Sequence, residues 1–262
     1  MIGLCPLASG SKGNCTYVGS RKTKILIDAG LGIRTLEQRL SILNLSFDEI
    51  DAIMITHEHG DHIRGLASLM RRKRIPIFVN ADTARGMDLV THQDWGLPLQ
   101  IFSTGETFAF GDFQIHPFSI QHDTLDPVAF TVHVTNEPWK FGICTDLGYA
   151  TSLVRRHLEG CTHLVLEANH QPSMVHACNR PTFYKQRVLS RQGHLSNQEC
   201  AELLGEIAHP QLQHVYLAHL SSECNHPELA LQIVADKMRE VGLVPSLSIA
   251  WQDRPSFPPS LI

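Results

Sequence analysis

Apolar positions in this chain come mostly as short runs, and their spacing changes in ways that predict an alternation of strands and helices. Residues 2–7 and 15–18 read as strands on either side of a Ser/Gly-rich turn, Ser9-Gly10-Ser11-Lys12-Gly13-Asn14. Residues 24–28 (KILID) form a β-branched run that stops at Ala29-Gly30, and residues 52–56 (AIMIT) form a second. Such continuous runs suit strands buried on both faces. Between them the period lengthens: Ile33, Leu36, Leu40 and Leu43 share one helical face. A further helix is predicted after His62, through Leu66, Leu69 and Met70, followed by a strand at 75–79.

From 99 to 135 every run is strand-like: LQIF, TFAF, FQIHPF and VAFTVHV, with turns at Thr104-Gly105 and Phe110-Gly111-Asp112. Residues 140–145 and 162–167 are two more strands, separated by a helix near 150–158. Ser196 with Glu199 three residues later opens a helix over 196–208 in a capping-box pattern. A strand at 215–218, a helix over 226–241 and a strand at 246–250 complete the series, and the proline-bearing tail from Arg254 to Ile262 reads as extended. Runs of strands with interleaved helices predict an α/β (α+β) chain of two packed sheets with helices outside. No repeat or composition shift divides it, so one domain over 1–262 is expected.

Composition narrows the class. With 262 residues, 43% hydrophobic and 18% charged, the chain can bury a large core. A net charge of −4 does not advertise nucleic-acid binding, which would need a local basic patch or a metal to hold phosphate. Seven cysteines without a C-x-x-C pair predict reduced thiols in a cytoplasmic protein. No run nears ~18 apolar residues and the N-terminal apolar stretch is short, so neither a membrane span nor a signal segment is expected.

Histidine is the outlier, at 16 residues. His57-Glu58-His59-Gly60-Asp61-His62 directly follows the AIMIT strand. His57 and His59 are two apart and point to one side of an extended segment; neutral imidazole nitrogen is a good ligand for zinc and related ions. Asp61 and His62 follow at the turn into a helix. Three more metal-type side chains stand at the C-terminal ends of apolar strands: His122, Asp146 and His219. The simplest count gives His57, His59 and His122 to one divalent ion, Asp61, His62 and His219 to another, and Asp146 as the bridge. Each ion keeps an open position, the catalytic type of site.

With that run and those three residues in order, the chain resembles the metallo-β-lactamase superfamily, which implies a four-layer αββα sandwich with metals at one edge between the sheets. Three further segments, residues 7–15 (LASGSKGNC), 193–197 (GHLSN) and 217–221 (LAHLS), resemble its YycJ/WalJ-type branch. That resemblance implies 5′-to-3′ exonuclease action on double-stranded DNA. Gln171 and His226 depart from the branch pattern, where an acid and an asparagine are expected.

The expected chemistry uses two divalent ions, zinc or manganese, with a hydroxide between them attacking phosphorus. Asp61 orients the nucleophile and His194 is the general acid. Ser9, Ser11 and Asn14 read either as phosphate donors or as a plain turn. Asn169 and His170 read either as substrate contacts or as supports for a ligand histidine; Ser196 and Asn197 complete the candidate substrate set. Arg180, Lys185, Arg187 and Arg191, leading into His194, are candidates to grip a nucleic-acid backbone. The rival reading is a small-molecule hydrolase acting on a thioester, lactone or cyclic phosphodiester.

Overall fold

The computed structural model describes residues 3–91 and 96–257. The first sheet runs in chain order: β1 (Gly3–Ala8), β2 (Cys15–Gly19), β3 (Lys24–Ile27), β4 (Ala52–Met54), β5 (Ile77–Asn80) and β6 (Leu99–Phe102). The second contains β7 (Phe108–Phe110), β8 (Phe113–Ser119), β9 (Val128–Val134), β10 (Lys140–Cys144), β11 (His163–Glu167), β12 (His214–Ala218) and β13 (Ser246–Ile249), also in sequential order. Each sheet begins as an antiparallel meander and ends as parallel strands, from β3 onward in one and from β10 onward in the other. Parallel strands need crossovers, and the intervening helices supply them.

The period-two pattern explains the layering. In β11, Leu164 and Leu166 enter the core under the outer helices while Val165 faces the other sheet; in β3, Leu26 points outward between Ile25 and Ile27, which point inward. Ile25, Phe113, Phe130, Phe141 and Tyr216 fill the space between the sheets. Helices α1 (Ile33–Ile42) and α3 (Leu66–Arg72) cover the first sheet with Leu36, Leu40, Leu66 and Leu69. α5 (Ser152–Leu158), α8 (Asn197–Ile207) and α9 (Pro227–Glu240) cover the second through Val154, Leu204 and Val234. The result is the expected αββα sandwich.

Every strand anticipated from the pattern is present. The helix expected after His62 starts earlier, as a short turn α2 (Gly60–Ile63) that carries Asp61 and His62 itself. Three helices were not legible: α4 (Ala81–Thr91), α6 (Pro172–Ala177) and α7 (Thr182–Val188). The first is started by Asn80, whose side-chain oxygen accepts from Thr83 N at 2.7 Å. The other two have six and seven residues, too short for a periodic stripe, and each begins at or beside a proline. The expected extended tail is irregular over 254–257, and residues 258–262 lie outside the described part.

Candidate metal centre

The site is built where strands end. Asp28 and His219 directly follow β3 and β12, Asp146 stands two residues past β10, and all three have positive φ, at 64°, 57° and 55° for Asp28, Asp146 and His219. A left-handed residue turns the chain abruptly as it leaves the sheet, at a cost of roughly 1–2 kcal/mol for a non-glycine. His219 is held in that conformation by a hydrogen bond from its N to Ser9 Oγ, at 2.8 Å. Gly30 sits behind the 60–62 turn because a Cβ there would come 1.8 Å from Asp61 O.

The seven side chains expected from sequence converge. His57 lies with its ring centroid 4.0 Å from that of His62 and 5.1 Å from that of His122. His122 Nε2 is 3.3 Å from His59 Nδ1, and His62 Nε2 is 3.2 Å from Asp146 Oδ2. Asp61 Oδ2 stands 3.6 Å from His62 Nε2 and 3.9 Å from His219 Nε2. His57, His62, His122, Asp146 and His219 are buried, while His59 and Asp61 are partly open to solvent.

Ring orientation is set from behind. His62 Nδ1 donates to Asp28 Oδ2 at 2.7 Å, His219 Nδ1 to Glu167 Oε1 at 2.9 Å, and His122 Nδ1 to Gly193 O at 3.1 Å. Thr56 Oγ1 donates to the Asp28 carboxylate and accepts from His57 Nδ1 at 3.0 Å. Each of these four imidazoles therefore has its Nδ1 engaged and turns its Nε2 toward the centre, the nitrogen left to bind metal. His59 is reversed, with Nδ1 inward and Nε2 3.6 Å from Asp123 Oδ1.

The inward atoms fit cations. His57 Nε2, His219 Nε2 and Asp146 Oδ2 are buried without a hydrogen-bond partner. Orphaned atoms of this kind are costly unless a ligand completes them. Burial pushes the imidazolium forms of His57, His59 and His122 down, leaving neutral nitrogen donors. Burial opposes charge at His219 too, but Asp146, Asp61 and Glu167 outweigh it and lift its pKa to about 10. Burial likewise opposes ionisation of Glu167, yet His194 and His219 bring its pKa to about 2. This half of the centre is a buried concentration of carboxylates that positive charge stabilises.

His194 reaches the same place, with Nδ1 2.9 Å from Glu167 Oε1 and its ring centroid 5.1 Å from that of His219. The residues expected to meet substrate divide. Ser9 holds His219. Asn14 Nδ2 is 3.1 Å from Asp61 Oδ2 and 3.0 Å from His62 Nε2. Asn169 Nδ2 donates to His219 O at 2.7 Å, and Asn197 forms a reciprocal amide pair with Asn225, at 2.8 and 2.9 Å. These four side chains are spent inside the protein, where hydrogen bonding offsets the cost of burying them. Ser196 caps α8 through Glu199 but also lines a cavity, as does the buried His170; Ser11 is exposed. Sequence reasoning passed over Asp28, Asp123 and Glu167. Asp28 and Glu167 stand at the ends of buried strands, where a lone carboxylate after an apolar run is itself a signal.

A model of the beta-lactamase superfamily domain matches residues 23–220. The chain is 35% identical over 239 residues to exodeoxyribonuclease YycJ of Bacillus anthracis, covering 90% of this chain and 89% of that one. The chain belongs to the YycJ/WalJ branch of the metallo-β-lactamase superfamily. Exodeoxyribonuclease WalJ of Streptococcus pneumoniae is a second member, 34% identical, with 90% of this chain and 88% of that one covered. The fold is shared more widely: the metallo-beta-lactamase fold protein YhfI from Bacillus subtilis superposes with a TM-score of 0.69 over 97% of this chain and 98% of its own, at 17% identity. As a member of this branch, the protein is a hydrolase that uses divalent metal.

Proposed function

We propose that the protein is a 5′-to-3′ exonuclease on double-stranded DNA and that its centre holds two divalent cations, zinc or manganese. His57, His59 and His122 would hold one and Asp61, His62 and His219 the other, with Asp146 between them. The observation that carries this reading is the set of buried, unpartnered atoms on His57, Asp146 and His219, facing one another in a chain related over nine-tenths of its length to exodeoxyribonucleases. When bound, the cations supply Lewis acidity and neutralise charge on the phosphate undergoing displacement.

The chain's own groups supply the rest. Asp61, on the open side of the centre, accepts a hydrogen bond from the attacking water and orients it. His194, its Nδ1–H held by Glu167, presents Nε2 as the proton donor to the leaving 3′ oxygen. Arg64, whose Nε donates to Gly60 O and whose Nη2 reaches Ser11 O, lies beside Asp61 without a carboxylate partner among the described residues, which leaves its charge for a phosphate backbone. Hydrogen bonds from Tyr216 Oη to Leu4 O and from Ser256 N to Pro6 O tie β1 to β12 and to the segment after β13, in keeping with one domain over 1–262. All seven cysteines are free, which supports a cytoplasmic setting. No helix among the described residues is long and apolar enough to cross a membrane.

The test is degradation of duplex DNA labelled at either end, with added Mn²⁺. Release from the 5′ end, abolished by His59→Ala, is expected. The net charge of −4 favours the rival small-molecule reading. Turnover of a thioester or lactone with every nucleic acid left intact would establish it instead.

A further inference from the structure

Four cations lead along the chain into His194, and the structure separates them. Arg180 is paired with Glu223 through Nε and Nη2. Lys185 donates to His176 O at 2.7 Å, and Arg187 is paired with Asp123 at 2.5 and 3.2 Å. Arg191 alone has no side-chain hydrogen bond or ion pair among the described residues. Its guanidinium carbon lies 4.2 Å from the centroid of the Tyr149 ring, and both residues line a cavity of about 330 Å³ that also includes His194.

The ring beneath it restrains the guanidinium by a cation–π contact and leaves its N–H groups free. Gly148 allows the close approach: a Cβ there would come 2.4 Å from Arg191 O and 2.7 Å from Gly193 N. Gly193 in turn accepts from His122 Nδ1, so this loop is registered against the metal centre. The lining is mixed. Tyr149, Pro172 and Leu189 offer apolar surface, while Arg191 and His194 offer polar atoms. Its one carboxylate, Glu199, already accepts from Ser196 N at 2.9 Å and Ser196 Oγ at 2.7 Å. The volume falls near the lower end of the roughly 300–1,000 Å³ typical of small-ligand sites.

We propose that this cavity is a nucleotide subsite. Arg191 binds the phosphate of the nucleotide next to the scissile bond, and Tyr149 holds Arg191 in place for it. This assignment rests on the DNA reading above and names the residues that set substrate affinity within it. An arginine fork matches phosphate geometry, and its partner ring reduces the freedom lost on binding.

The experiment is calorimetric titration of the metal-loaded protein with deoxyadenosine monophosphate, alongside steady-state kinetics on duplex DNA. Arg191→Ala is expected to weaken the nucleotide about tenfold and to raise KM by a similar factor, with kcat moving less than about threefold. Arg191→Lys should recover part of the loss, because charge without the fork remains. Tyr149→Phe should bind like wild type, and Tyr149→Ala should reproduce the loss. Wild-type melting temperature and metal content in each variant establish that the centre is intact, and Arg191→Lys decides the matter if Arg191→Ala does not fold. Unchanged nucleotide affinity and KM in the Arg191 variants, or a fall in kcat at constant KM, overturns the subsite. A wild-type protein that leaves DNA intact overturns the DNA reading instead, while the nucleotide titration still decides whether the cavity binds.

Discussion

Asp28 and His62 meet at 2.7 Å beneath the metal centre, carboxylate oxygen to Nδ1, and this contact determines which ring nitrogen looks inward. Asp28 also accepts from Thr56 N at 2.9 Å and from Thr56 Oγ1, so one carboxylate aligns His62 directly and His57 through a hydroxyl. Asp28→Asn keeps the shape and tolerates the positive φ, but replaces a charged acceptor with an amide. Metal affinity should fall by about 10- to 100-fold. Competition with a chelator, read as metal retained per protein, measures it; retention equal to wild type would show that Asp28 only shapes the turn.

His194 and Glu167 make a second such pair, at 2.9 Å. If His194 protonates the leaving oxygen, His194→Ala should lower kcat on DNA by about 10²- to 10⁴-fold. The loss should shrink on bis(p-nitrophenyl) phosphate, whose leaving group departs without a proton. Equal losses on both substrates would mean that His194 positions substrate rather than donating a proton.

Asn197 belongs to the fold. Its amide pairs with that of Asn225, and Asn225 Nδ2 also donates to Ala168 O and Asn169 O, just beyond β11. Asn197→Ala leaves buried amide atoms unpaired and should cost about 1–3 kcal/mol in urea unfolding. KM for DNA should stay at the wild-type value; a raised KM at unchanged stability would return Asn197 to the substrate contacts.

His214 predicts an acid-sensitive step in stability that is independent of the metal centre. It is buried in β12 with Nε2 2.7 Å from Ser248 Oγ, and burial, followed by the nearby His163, lowers its pKa to about 4. The folded state therefore favours the neutral ring. Its contribution is fully present above the unfolded pKa of ~6.5 and is lost as pH falls toward 4, because the unfolded chain takes up the proton first. Between pH 7 and pH 5 the wild type should lose about 2 kcal/mol through this group, a loss absent from His214→Gln. Parallel urea titrations at the two pH values measure the difference.

The sequence by itself determined what depends on neighbours in the chain. Short apolar runs located the strands, the helical stripe of Leu36 and Leu40 placed α1, and the Ser196–Glu199 box started α8. The run from His57 to His62, with His122, Asp146 and His219 at strand ends, marked the metal centre because those residue types at those positions have few other uses. Tertiary structure alone decided everything that depends on partners far apart in sequence. Asp28 meets His62 across 34 positions and Glu167 meets His219 across 52, so neither role is written in a local pattern. Arg187 finds Asp123 across 64 positions and Arg180 finds Glu223 across 43, which neutralises two of four similar cations and leaves Arg191 free beside Tyr149. Charge is a property of a residue, but whether that charge is available is a property of the packing around it.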